Sequence, residues 1–184
     1  MIILRKPVAG LNDKGLSRFL ARICRATKLR GTVNVLVTGS KELRALNLRF
    51  LGNDTPTDVL SFSPMPGYVN GLAGDIAISA EIAAQNARLL RHSTAEEIKI
   101  LTLHGVLHLA GYDHEQDHGE MARKEASLRR LLGLPVGLTE RNGEPPKSGL
   151  KSGPQSGFQS MRSPKKASRQ KAAGKLARTI PRTR

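Results

Sequence analysis

The sequence predicts an α+β fold: a compact single domain with a mixed sheet packed against helices, a buried central helix, and a disordered basic tail. Three observations carry this. Strand-like and helix-like patterns alternate through residues 1–140. One segment, from Ile98 to Leu109, is apolar almost all round, which marks a helix enclosed by other elements rather than lying on the surface. From residue 141 onward the apolar periodicity ends. Residues 141–164 contain 13 Gly, Ser or Pro in 24, and residues 165–184 are rich in Lys, Arg and Ala without an apolar stripe. Neither stretch buries enough to order itself. The domain is therefore drawn at 1–140 and the tail at 141–184.

The elements follow in order. Ile2–Leu4 reads as a short strand, stopped before Pro7 and Gly10. From Asp13 to Leu29, Leu16, Phe19, Leu20 and Ile23 fall at i, i+3, i+4 and i+7, the stripe of an amphipathic helix. Thr32–Thr38 is β-rich and alternating, a strand. Ser40 suits the cap of a helix running to about Phe50. A turn at Gly52-Asn53-Asp54 leads to a strand over Thr57–Phe62, and Pro64, Pro66 and Gly67 make a loop. Gly74–Ser79 is a further strand, and Ser79 caps a helix from Ala80 to Leu90. Thr94 and Glu97 have capping-box spacing at the start of the apolar helix, which Gly111 ends. A last amphipathic helix, Asp117 to Leu132, carries Met121, Leu128 and Leu132 and stops at Gly133.

The formal charge is +15, and its distribution matters more than its size. Residues 141–184 hold 12 Lys or Arg against Glu144 alone, +11, leaving +4 for residues 1–140. A polyanion such as nucleic acid is the first partner to consider. Cys24 is the only cysteine, so an intrachain disulfide or thiolate zinc knuckle is excluded, and its apolar setting suits a small core residue. The N-terminal Met-Ile-Ile-Leu is too short for a signal-peptide core. No run approaches the roughly 18 apolar residues of a membrane span. The cytoplasm is the expected compartment.

Histidine is scarce, five in the chain, yet His104, His108 and His114 lie within eleven residues, in Leu103-His-Gly-Val-Leu-His-Leu-Ala-Gly-Tyr-Asp-His114. His104 and His108 are one helical turn apart and project from one face. Gly111 lets the chain leave the helix so that His114 returns to the same point. Two imidazoles on an otherwise greasy helix each need a polar partner, and one metal satisfies both. Three histidines with no obvious fourth ligand is the donor set of a catalytic zinc site with one open position. The spacing H-x-x-x-H-x-x-G-x-x-H matches the metzincin proteases except that Gly105 stands where their general-base Glu follows the first His. Glycine accepts no proton, which disfavours a metalloprotease.

The same stretch, His104 to His114, resembles the signature of the bacterial YbeY endoribonucleases, the rRNA maturation factors. So do Leu46–Phe62 (L-N-L-R-F-L-G-N-D-T-P-T-D-V-L-S-F) and Gly74-Asp75-Ile76, in matching order. The resemblance covers roughly residues 30–135. It implies an α+β fold whose central helix carries the metal ligands, one Zn2+ per chain on His104, His108 and His114, and single-strand-selective endoribonuclease activity. It also implies ribosomal RNA and pre-ribosomal particles as partners, with work on rRNA 3′ ends and in ribosome quality control. The family pattern has Tyr-Arg-Gly where this chain reads Phe50-Leu51-Gly52, and that Arg is associated with RNA handling. Leu51 holds no phosphate, so Arg49 is the nearest cation to take that role.

The other candidates have plainer readings beside the functional one. Asp58 and Asp75 border strands, where each either accepts a hydrogen bond from a ligand imidazole or a water, or caps a turn. Asp113 stabilises the turn between ligands. His118 is an alternative ligand or a solvated residue among Glu115, Asp117 and Glu120, and three ligands already suffice. His92 is given no role. The general base is unassigned. A second function class also fits: an RNA-binding ribosome-assembly factor that does not cut RNA and whose zinc is structural, closed by a fourth ligand.

Overall fold

The structure, a computed structural model, describes residues 1–64, 71–114 and 117–135. Four strands and five helices follow one another as β1 (Ile2–Leu4), α1 (Asp13–Thr27), β2 (Thr32–Thr38), α2 (Ser40–Leu51), β3 (Val59–Phe62), β4 (Leu72–Ser79), α3 (Ala80–Leu90), α4 (Thr94–Leu109) and α5 (Glu120–Leu132). The strands form one mixed sheet in the order β1-β2-β4-β3. β1 and β4 both run parallel to β2, and β3 runs antiparallel to β4, with Val59 opposite Ile78 and Ser61 opposite Ile76. This is the α+β single domain that the alternating patterns predict. The expectation of a disordered tail over 141–184 lies outside the described residues. No described helix is long and apolar enough to cross a membrane.

Strand alternation sorts the apolar side chains onto two faces. Val33, Val35 and Val37 of β2 join Ile76 and Ile78 of β4 in the larger core, under α1, α4 and the first residues of α3. Leu36, Leu60, Ala77 and Phe62 face the other way, onto Leu43, Leu46 and Leu51 of α2. α4 lies inside the larger core. Ile98, Leu103, Val106 and Leu107 are each fully buried, and Gly105 and His108 are buried with them. An α-helix enclosed by a sheet and neighbouring helices has no face left for solvent, which is why its sequence shows no polar stripe.

Several boundaries differ from the sequence expectation, each for a local reason. The box at the start of α4 uses Ser93 and Glu96, one residue earlier than Thr94 and Glu97. Both pairs have the S/T-x-x-E spacing, and Glu97 is committed elsewhere, its carboxylate 2.6 Å from Nε2 of His92. Gly39 rather than Ser40 occupies the cap of α2. The Ser40 backbone N–H donates instead to Glu81 of α3 at 2.7 Å, so a carboxylate from the neighbouring helix satisfies that terminus. α5 begins at Glu120, because Asp117 accepts from the backbone N–H groups of Gly119 and Met121, a turn that precedes the helix. β3 begins at Val59, whose N–H donates to the Asp58 carboxylate.

Two glycines set how α4 meets its surroundings. Gly111 ends the helix with paired bonds: its N–H donates to His108 O at 2.9 Å, and Tyr112 N–H to Leu107 O at 3.1 Å. This is a Schellman closure, which needs the left-handed φ of 92° that Gly111 adopts. Gly74, at φ 151°, sits under Leu109 at the end of α4, where a Cβ would lie 2.5 Å from Leu109 Cδ2 and 2.6 Å from the Phe62 carbonyl oxygen. Gly74→Ala is therefore expected to destabilise by about 2–4 kcal/mol, combining backbone strain with overpacking against a main-chain atom. Gly111→Ala has open space around it and is expected to cost only the conformational term, about 1–2 kcal/mol. Urea denaturation of both variants checks the order, and equal losses would mean that the Leu109 and Phe62 contacts relax freely.

Candidate metal centre

His104 and His108 project from adjacent turns of α4, and the turn through Gly111 and Tyr112 brings His114 back beside them. The ring centroids are 4.8 Å apart for His104–His108, 5.1 Å for His108–His114 and 5.4 Å for His104–His114. One donor atom from each ring lies within 4.8 Å of the other two. Burial is graded across the trio: His108 is buried, His104 half-buried and His114 exposed. The cluster thus has one side in the core and one open to solvent.

The donor set fits a metal ion. Nε2 of His104 and Nε2 of His108 stand 3.1 Å apart. Nitrogens each about 2.0–2.1 Å from a common tetrahedral ion lie roughly 3.4 Å apart, so this pair is already near ligand spacing. Nδ1–H of His104 donates to Glu125 Oε2 at 2.9 Å, which fixes the tautomer and leaves Nε2 to face the cluster. His108 is pushed down to about 3, first by burial and then by the neighbouring His104 and His114, while a hydrogen bond with the Tyr112 backbone opposes this. It is consequently neutral near pH 7, the form in which imidazole binds a metal.

Gly105 now has a structural reason. It faces the sheet, where a Cβ would come within 2.8 Å of Ser61 Oγ and 3.0 Å of two Ile76 carbons. A glutamate at this position would have to enter the packed layer between α4 and the strands. The missing protease base is thus a consequence of how closely the helix lies on the sheet.

The remaining sequence candidates are placed elsewhere. Asp58 accepts from Val59 N–H at 2.9 Å and from the Asn86 amide of α3 at 3.4 Å, a strand-entry role. Asp75 is exposed on β4 and accepts from the Asn34 amide of β2 at 2.8 Å. Neither carboxylate joins the histidine cluster. Arg49 is exposed in the last turn of α2, its guanidinium 5.3 Å from the Phe50 ring centroid. Leu51 is half-buried and packs in the smaller core with Leu43 and Leu60. His118 is exposed and lies outside the cluster, its carbonyl accepting from Arg123.

Sequence reasoning missed Glu125 and Arg129. The Glu125 carboxylate holds His104 with one oxygen and pairs with the Arg129 guanidinium through the other. Burial pushes this carboxyl up, but the His104 hydrogen bond and charge and the Arg129 pair outweigh it and hold it below the usual range. The signal was present. Glu125 lies four residues after Met121 and three before Leu128, so an acid occupies the stripe that α5 buries. A carboxylate there needs partners, and an Arg at i+4 with a histidine on the facing helix supplies them.

Comparison with known proteins agrees with this geometry. The family model described as Endoribonuclease YbeY matches residues 10–133. A relative from Koribacter versatilis, named Endoribonuclease YbeY, is 55% identical over 151 residues, covering 82% of this chain and 97% of the relative. One of the same name from Solibacter usitatus is 45% identical over 140 residues, 76% and 92% of the two chains. Among solved structures, the solution structure of a Thermotoga maritima protein superposes with a TM-score of 0.52 at 31% identity, covering 81% of this chain and 99% of that one. Fold, histidine arrangement and sequence agree that the chain belongs to the YbeY endoribonuclease family.

Proposed function

We propose that this chain is a zinc-dependent endoribonuclease, with the metal on His104, His108 and His114, that cuts single-stranded RNA in ribosomal RNA 3′-end maturation and ribosome quality control. The observation that carries the reading is the donor count. Three imidazoles converge, and among the described residues no further His, Cys, Asp or Glu joins them. A three-donor set leaves a position for substrate or water, whereas a structural zinc is closed by four ligands. The names of the relatives from Koribacter versatilis and Solibacter usitatus support the same activity.

When bound, the metal would supply Lewis-acid charge toward a phosphodiester oxygen. The chain's own groups do the rest. Glu125, anchored by Arg129, orients the His104 ring, burial keeps His108 neutral, and exposed His114 keeps the cluster open to a large substrate. No carboxylate stands at position 105, and Asp58 and Asp75 are engaged elsewhere, so this reading assigns no protein general base. The catalytic unit is residues 1–140 in the cytoplasm, its partners are ribosomal RNA and pre-ribosomal particles, and the +11 segment 141–184 adds affinity for them.

Purified protein is expected to carry about one zinc, and His104→Ala, His108→Ala or His114→Ala to lose it, since two imidazoles alone hold zinc poorly. Metal analysis with His118→Ala as the comparison checks this; full zinc in His114→Ala together with loss in His118→Ala would reassign the third ligand. Cleavage of a single-stranded RNA should fall to background with chelator and return when zinc is added back. Activity that persists with chelator would sink the proposed mechanism.

Glu125→Gln is expected to weaken metal affinity by about 10- to 100-fold while the fold survives, because an amide orients the ring without its charge. Competition against a metal-binding dye measures it.

Deleting residues 141–184 removes +11 of the +15 formal charge. RNA binding should weaken and its salt dependence become shallower, since fewer counterions are released on binding. The cleavage rate at saturating RNA should be retained.

A further inference from the structure

The excess charge of residues 1–140 is concentrated on α1 and the three residues after it. Residues 13–30 hold six Lys or Arg against Asp13 alone, a charge of +5, whereas residues 1–140 together carry +4. The remainder is therefore at −1, so α1 together with the three residues that follow it holds more than the whole excess. The cations are also on one side. Lys14, Arg18, Arg22 and Arg25 recur at spacings of four, four and three, so they project from one face of the helix. Leu16, Phe19, Leu20 and Ile23 occupy the opposite face and are buried in the larger core.

This face is uncompensated. Arg5, Lys6 and Arg44, by contrast, are exposed cations that each have an acid beside them, Glu42, Glu81 and Asp54 respectively. Among the described residues, none of Lys14, Arg18, Arg22, Arg25, Lys28 or Arg30 forms an ion pair. The stripe also has a seat beside it. Arg18 and Arg22 line a cavity of about 430 Å³ with Lys99 of α4, whose ammonium is 6.0 Å from the Phe19 ring centroid. The one acid on its wall, Glu96, is engaged with the Ser93 hydroxyl and backbone.

We propose that the exposed face of α1 is a second RNA-binding surface, an anchor for the phosphate backbone separate from the histidine cleft. This deepens the endoribonuclease reading and rests on it for the identity of the polyanion. The geometry favours a nucleic-acid strand over a lipid surface. Cations four residues apart advance about 6 Å along the axis, a ladder for successive phosphates. A helix that inserts into a bilayer needs its apolar face free, and here that face is fully spent on the core. The anchor stops short of the cleft. Thr27, at the end of α1, shares a cavity with Asp113, Asp117 and Glu120 near His114, and those carboxylates repel a backbone laid straight across them. RNA held on α1 thus enters the cleft by another path, and the surface acts on binding rather than on the chemical step.

The test uses the full chain and a fluorescent single-stranded RNA. Arg18→Gln/Arg22→Gln/Arg25→Gln keeps good helix formers at exposed positions. Arg5→Gln/Lys6→Gln/Arg44→Gln removes the same charge from paired sites. The α1 variant is expected to bind roughly tenfold or more weakly at 100 mM salt, with the slope of log K against log salt smaller by about 2. KM should rise with kcat unchanged, and the control variant should match the parent. Bound RNA should also shield Lys14 from acetylation but not Lys41 of α2. Equal affinity and slope in the α1 variant and its parent, with Lys14 unshielded, would overturn the proposal even if the protein cuts RNA. Loss of binding to anionic vesicles with RNA binding intact would overturn it in favour of a membrane. If the parent shows no chelator-sensitive cleavage but still binds RNA through α1, the nuclease reading fails and the anchor stands.

Discussion

The seating of α4 on the sheet at Gly105 is the contact from which the site follows. With no side chain there, the helix axis approaches β3 and β4 closely enough that Ser61 and Ile76 would touch any Cβ. That approach buries Ile98, Leu103, Val106 and Leu107. It also decides what residues 104 and 108 face, because in a helix the direction of one side chain sets those of its neighbours. With Gly105 against the strands, His104 and His108 turn to the flank that α5 covers, where Glu125 waits. One residue without a side chain thus supports the packing, orients two imidazoles and excludes a carboxylate from the position where a protease would need it.

Around this packed layer, buried carboxylates are held in closed sets. Glu125 is the clearest: half-buried beside Met121, it is shared between His104 and Arg129, so neither of its oxygens is left to the core. His92 and Glu97 do the same at the other end of α4, where both side chains are more than nine-tenths buried and 2.6 Å apart. Burying either partner alone would cost several kcal/mol, so each pair is retained or lost together. The histidine cluster differs from these pairs in having an open side. Its outermost ring is at the surface, and what the interior does not supply has to come from a ligand.

How much of this could be read beforehand depended on the range of the interaction. Periodicity reports which side of an element is buried, so the elements of residues 1–135 and the enclosed character of α4 were legible from single segments. Local spacing also placed His104, His108 and His114, because a helical turn and a glycine exit are both short-range geometry. The errors fell where two segments compete for one group. Thr94 and Glu97 satisfied a local rule, but His92 claimed Glu97 and moved the box to Ser93 and Glu96. Ser40 looked like a cap until Glu81, 41 residues away, supplied the acceptor. For Asp58 and Asp75 two readings stood side by side, and the fold shows the Asp58 carboxylate bonded to Val59 N–H and Asn86 and that of Asp75 to Asn34. Glu125 went unassigned although it sits in the buried stripe of α5, because its partner His104 lies on a different helix 21 residues away.

The charge distribution obeys a further constraint that spacing alone does not express. A metal on three neutral imidazoles would bring positive charge to the cleft, and Glu125 offsets part of it from behind. Asp113, Asp117 and Glu120 lie along the nearby turn, so the site's surroundings are acidic even though the chain is strongly basic. An acidic rim raises the energy of a phosphate approaching at random from that side. Productive approach therefore depends on cations placed elsewhere to hold the polyanion, and Lys14, Arg18, Arg22 and Arg25 form a stripe of them on α1. Separating attraction from chemistry in this way lets the cleft keep the neutral, closely packed ligands a metal needs. The long-range field that gathers substrate is carried by a helix whose other face is already committed to the core.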